Sequence, residues 1–195
     1  MPLSTKLGGT QIRFYLLSSL FAALTAVGAF IKIPLPYTPI PITLQSLFVI
    51  LAGSVLGPKF GAMSQLIYLV VGLLGVPIFA HGGGPGYIFQ PTFGYLIGFP
   101  VGAFVVGYIV WGNRRYQNQS PPTFQRICIS NILGVFIIFI FGVTFYFLNI
   151  NFLVGKKMSL QFVLKTSIAF FIPGDVLKIL VSTLMAFKIT RVLTF

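Results

Sequence analysis

The chain has one carboxylate side chain, Asp175, and it stands three residues before Lys178 in the run Pro173-Gly174-Asp175-Val176-Leu177-Lys178. On a helix that spacing puts both side chains on one face. Such a pair has two readings. It is a plain internal ion pair, with an acid favoured by the start of a helix. Or it is the polar end of a pocket, where Asp175 accepts hydrogen bonds from ligand N–H groups and Lys178 neutralises a ligand anion. A lone carboxylate leaves no set of nucleophile, base and orienting acid, so no enzyme is expected. His81 has no second histidine or carboxylate nearby, and Cys128 is the single cysteine, so neither a metal site nor an internal disulfide is expected. The glycines Gly82, Gly83 and Gly84 allow close backbone approach to a ligand or a helix. They lack the spacing of a phosphate-binding loop, a pattern absent from the whole chain. No ATP hydrolysis is expected.

The elements that position these residues must lie in a membrane. Of 195 residues, 56% are hydrophobic and 7% charged, against about a quarter charged in globular proteins. No soluble domain of this length hides so much apolar surface, and disordered chains have the opposite composition. The sequence predicts an all-α integral membrane protein forming one transmembrane domain over residues 1–195, since open sheet edges cannot face lipid. Turn signals divide it into six spans, 12–31, 42–56, 60–79, 92–111, 127–148 and 173–190, with a short helix over 160–171. The uncharged run in the first span is longer than a secretory signal core, so that span is read as a retained helix.

The net charge of +12 is scattered between apolar blocks, which argues against nucleic acid. It sets topology instead. With the N-terminus inside, Lys6, Arg13, Lys59, Arg114, Arg115, Arg126, Lys188 and Arg191 are cytoplasmic, against Lys32, Lys156, Lys157 and Lys165 outside. Eight against four predicts both termini in the cytoplasm. Tyr108 and Trp111 beside Arg114 read as an aromatic anchor at the inner interface.

This orientation gathers the proline-rich link 34–41, Gln45, the glycine loop, Gln90, Thr92 and Asp175 at the outer face. The first span carries small residues Ser18, Ala22, Ala26 and Ala29 at helical spacing. They are suited either to packing within the chain or to docking another membrane subunit.

Several blocks resemble the BioY family, biotin-binding substrate subunits of energy-coupling factor (ECF) transporters. They are Phe21-Ala22-Ala23-Leu24-Thr25-Ala26-Val27-Gly28-Ala29, Pro39-Ile40-Pro41-Ile42-Thr43-Leu44-Gln45, Leu56-Gly57-Pro58-Lys59-Phe60-Gly61, Gln90-Pro91-Thr92-Phe93-Gly94-Tyr95, and Pro173-Gly174-Asp175 with Lys178. The resemblance covers roughly residues 20–108 and 171–188, in order; 113–165 shows little of it. It implies a six-helix bundle of the ECF substrate-subunit type in a bacterial plasma membrane. It also implies capture of biotin from outside, with a separate coupling protein and two ATPases supplying the work. No cofactor of its own is implied.

Asp175 and Lys178 match the family's Pro-Gly-Asp-x-x-Lys motif and are assigned by that resemblance to the biotin site. Gln45, Tyr95, His81 and the backbone of Gly82, Gly83 and Gly84 are further candidates. At His81 the family leads one to expect glycine or asparagine. The Ala22-x-x-x-Ala26 spacing resembles the stripe that meets the coupling protein, which favours docking for Ser18, Ala22, Ala26 and Ala29. The competing functions are an ECF subunit for another vitamin, a structural subunit of a membrane complex, and a channel. The last would need charged residues at mid-depth, which the first five spans lack.

Overall fold

The computed structural model describes residues 3–36, 38–112, 121–168 and 171–192. Arg114 and Arg115, which contributed to the inner charge count, lie outside the described residues, as do the side chains of Lys6 and Lys165. The order is α1 (Leu3–Phe30), β1 (Lys32–Leu35), β2 (Thr38–Thr43), α2 (Gln45–Leu73), a 3-10 turn (Pro85–Phe89) and α3 (Phe93–Trp111). Then come α4 (Phe124–Leu148), running on through a π-helical turn (Asn149–Leu153), α5 (Leu160–Ile168) and α6 (Ile172–Val192). By length and composition, Gln11–Phe30, Gln45–Leu73, Phe93–Trp111 and Phe124–Leu153 are apolar enough to cross a membrane.

The second and third spans are the two arms of α2. Gly57 breaks it with φ 77° and ψ −175°, a conformation that side-chain-bearing residues rarely adopt, and Pro58 starts the second arm. The arms fold back on each other. The Gln45 side-chain amide donates to the Tyr68 hydroxyl at 2.6 Å, although a continuous helix would hold positions 23 residues apart by about 34 Å. A Cβ on Gly61 would stand 2.9 Å from the Gly53 Cα, so the contact tolerates nothing larger than glycine. With α1, α3, α4 and α6 these arms make six helices. Residues 49–57 of the first arm are all buried, so this short, mostly apolar helix is the centre of the bundle.

The expected boundaries shift for local reasons. The proline-rich link is a two-stranded antiparallel hairpin pairing Lys32 with Thr43 and Ile33 with Ile42. A ribbon of two strands has only edges, where proline is tolerated. The first arm of α2 therefore starts at Gln45, after the strand, and not at 42. The second arm ends at Leu73, before Gly75 (φ 111°) and Pro77, and not at 79. α4 starts three residues earlier than expected because the Thr123 side chain caps it, accepting from the Arg126 backbone N–H.

α3 packs on α4 through Gly94, Gly98 and Gly102. Added Cβ atoms there would meet Phe145, Ile138 and Phe141 at 2.2–3.1 Å. Glycines spaced by four let two helix backbones approach closely within lipid. α6 inverts the soluble pattern: Asp175, Lys178, Ser182, Thr183 and Thr190 face inward, and Val176, Leu177, Leu180 and Leu184 face outward.

Two expectations are corrected by burial. Ser18, Ala22 and Ala29 are 0%, 6% and 1% exposed and Ala26 is half-buried. The Ser18 hydroxyl donates to the carbonyls of Phe14 and Phe60, so this stripe packs on the chain's own α2 and is not an open docking face. Trp111 is not an interfacial anchor, because its indole N–H turns inward to the Ser54 carbonyl at 2.8 Å.

Candidate functional site

A pocket lies where the hairpin, the loop after α2 and the starts of α3 and α6 converge. Its polar end is on α6. Lys178 Nζ sits 2.6 Å from Asp175 Oδ1 and donates to the Ser46 hydroxyl at 3.0 Å. Both charged residues are less than one-tenth exposed. Among the described residues, Asp175 Oδ2 is buried with no hydrogen-bond partner, and the Tyr95 hydroxyl, which lines the same pocket beside Ser167, makes no hydrogen bond of normal geometry. A buried carboxylate oxygen without a donor costs free energy until something supplies one.

The Tyr95 ring is held in place by its neighbours. It lies over Gly142, where any Cβ would overlap it at 2.3 Å, and it meets Phe139 edge-on with centroids 5.8 Å apart. Phe99, Phe139 and Phe171 with Leu96, Val135 and Ile138 make the remaining walls apolar. A ligand fitting here has a flat or aliphatic body and a polar head carrying N–H donors.

Gln45 lines the pocket, but its own hydrogen bonds are made. Its carbonyl oxygen accepts from the Thr43 hydroxyl at 2.9 Å and its amide donates to Tyr68, which in turn donates to the Ile78 carbonyl at 3.0 Å. It is therefore a brace joining the hairpin, both arms of α2 and the loop. His81, Gly82, Gly83 and Gly84 do not line the pocket. Gly84 N–H donates to the Gly72 carbonyl at 2.7 Å, and a Cβ on Gly83 would strike the Val76 carbonyl at 2.2 Å, so the glycines seat the loop on the end of α2. Exposed His81 has its pKa held below the ordinary value by partial burial and by Lys32, whose ammonium donates to the neighbouring Ala80 carbonyl.

The loop's contribution to the pocket comes from its flanks, Ala80 and Tyr87. The Tyr87 hydroxyl is paired with Thr92 at 3.0 Å, and burial pushes its pKa up, so it is a neutral partner. Sequence reasoning missed Ser46, Tyr87 and the three phenylalanines. Ser46 adjoins Gln45, and that adjacency was the one available signal. The phenylalanines are indistinguishable from the other 19 of the chain's 22 without the fold.

Comparison with known proteins bears on the family. The profile of the BioY family matches residues 4–195. The chain belongs to the BioY family. A protein of Lysinibacillus sphaericus named probable biotin transporter BioY is 42% identical over 174 residues, covering 89% of this chain and 85% of that one. The biotin transporter BioY of Thermotoga maritima is 35% identical over 178 residues, covering 89% and 94%. A crystal structure of the S-component for biotin from an ECF-type ABC transporter superposes with TM-score 0.80 at 25% identity, over 94% of this chain and 93% of that one. The BioY match includes 113–165, where motif resemblance was slight, and it agrees with the six-helix bundle described above.

Proposed function

We propose that this chain takes up biotin as the substrate-binding membrane subunit of an ECF transporter, capturing the ligand in the pocket bounded by Asp175, Lys178 and Tyr95. The observation that carries the reading is Asp175 Oδ2, buried and without a hydrogen-bond partner among the described residues, on a residue that lines, with Tyr95, a pocket with aromatic walls in a BioY-family chain. The ureido head of biotin offers two N–H donors and one carbonyl acceptor. Because Asp175 and Lys178 touch each other, they meet the same end of an extended ligand. Asp175 then accepts from ureido N–H, Lys178 donates to the ureido carbonyl, and the bicyclic body lies against Phe99, Phe139 and Phe171. The valerate carboxylate points towards the mouth.

In this reading both termini are cytoplasmic in a bacterial plasma membrane. A coupling protein and two ATPases, which are separate chains, drive delivery. The coupling protein meets α1 on the exposed face adjoining Ser18 and Ala22, where Ser19 and Ala23 are small and exposed. Binding of biotin, thiamine and riboflavin by the detergent-purified chain tests the function. Saturable binding of biotin alone is expected; binding of another vitamin in its place, or of none by a folded chain, overturns it.

A further inference from the structure

A second concavity lies on the side of the bundle, between α4 and α6 and beside α5, and uptake of a small ligand does not use it. It is open to the side of the bundle, and apart from Thr144 and Asp175 the described residues that line it are apolar. Its walls are also open: Phe136, Ile140 and Val176 are 60%, 48% and 52% exposed. In water such a patch is a liability. Beside a bundle that spans the bilayer, its neighbour is an acyl chain.

The groove has a charged end. Lys156 and Lys157 are exposed, four and three residues before Leu160, the first residue of α5 and part of the groove wall. The chain's only acid, Asp175, is buried against Lys178 and does not answer them. α5 turns Val163 and Ser167 inward and leaves Leu160, Phe162 and Leu164 exposed, as a helix lying in a membrane interface does. An apolar track with two cations at its interfacial end is complementary to an anionic lipid.

We propose that this groove holds one anionic phospholipid, its acyl chain along α4 and α6 and its headgroup phosphate on Lys156 and Lys157. The consequence reaches the pocket, because groove and pocket share Val135, Phe139 and Asp175 as a common wall. The Phe139 ring is set edge-on to Tyr95 and to Phe171, each with centroids 5.8 Å apart. A seated acyl chain supports this partition from behind and seals the Asp175–Lys178 pair from the bilayer.

The test is native mass spectrometry of the full chain in detergent with equimolar dioleoyl phosphatidylglycerol and dioleoyl phosphatidylcholine. One bound lipid per chain is expected, with phosphatidylglycerol preferred by about fivefold for each lysine near the headgroup. Lys156→Gln with Lys157→Gln brings phosphatidylglycerol down to the phosphatidylcholine level. Thr144→Trp fills the acyl track, leaves both lysines in place, and lowers retention of both lipids. Equal retention of the two lipids by the unsubstituted chain overturns the proposal, as does retention insensitive to Thr144→Trp. A dimer peak in place of lipid adducts assigns the groove to a second copy and also overturns it.

Discussion

Two buried polar clusters share the inward face of α6, and they differ in whether they are complete. Towards the C-terminal end of the helix, Asn131 donates to Ser182 at 3.4 Å and to Thr183 at 3.1 Å and accepts from Ser54 at 2.9 Å. All four residues are fully buried, and none of their side-chain polar atoms lacks a partner. The cluster ties α2, α4 and α6 together with no group left over. Towards the N-terminal end, Asp175 and Lys178 are buried and Ser46 and Tyr95 half-buried, yet among the described residues Asp175 Oδ2 has no partner and the Tyr95 hydroxyl makes no hydrogen bond of normal geometry. Burial of polar groups within a bilayer is expensive in both places. One cluster satisfies itself and acts as a clamp. The other is left open, and in the proposed function biotin completes it.

The contrast breaks most visibly at Asp175. Asp175→Asn, which keeps the side chain's size, is expected to weaken biotin binding about a hundredfold or more, the usual consequence of altering one member of a buried hydrogen-bonded charge pair. Calorimetric titration reads it. Asn131→Ala is the counterpart in the finished cluster. It removes three interhelical hydrogen bonds and is expected to cost about 1–3 kcal/mol of stability, leaving biotin affinity unchanged in the same titration.

A smaller effect sharpens the unfinished cluster. If Lys178 meets the ureido head, biotin amide, which lacks the carboxylate charge, binds within about tenfold of biotin, a difference of about 1.4 kcal/mol. Competition binding checks this. An amide penalty as large as that of Lys178→Met would instead place the carboxylate on Lys178.

The smallest effect lies outside both clusters, at His81. Its pKa is lowered by folding, so the unfolded chain takes up the proton first. Stability is therefore full above the unfolded value of about 6.5 and declines as pH falls through it. His81→Gln is expected to flatten that decline in Tm between pH 5 and 7.5. Biotin affinity does not change, because His81 does not line the pocket.

Much of the unfinished cluster was legible in the sequence and almost none of the finished one. Asp175 and Lys178 stand out because charge is rare here and every ionisable residue in a span demands an explanation. Gly57-Pro58 marked the turn within α2 correctly. Asn131, Ser54, Ser182 and Thr183 come from three separate helices, and nothing in their local sequence says that they meet. The small-residue stripe of α1 was read in the wrong direction for a related reason. In a membrane helix, small residues mark close approach to some helix, and spacing cannot tell an internal neighbour from a foreign one. The hairpin was hidden by its prolines, which argue against a strand in a sheet interior but not in a two-stranded ribbon.

The distinction between a completed and an incomplete cluster is tested most directly by one thermal-unfolding series, with and without saturating biotin, on the unsubstituted chain, Asn131→Ala and Asp175→Asn. A ligand that binds only the folded state stabilises it by RT ln(1 + [L]/Kd), so Tm rises with the logarithm of its affinity. The account predicts equal biotin-induced rises for the unsubstituted chain and Asn131→Ala, the latter from a lower starting point, and a much smaller rise for Asp175→Asn, whose hundredfold weaker binding removes about 2.7 kcal/mol of the stabilisation. A rise in Asp175→Asn equal to that of the unsubstituted chain would contradict it.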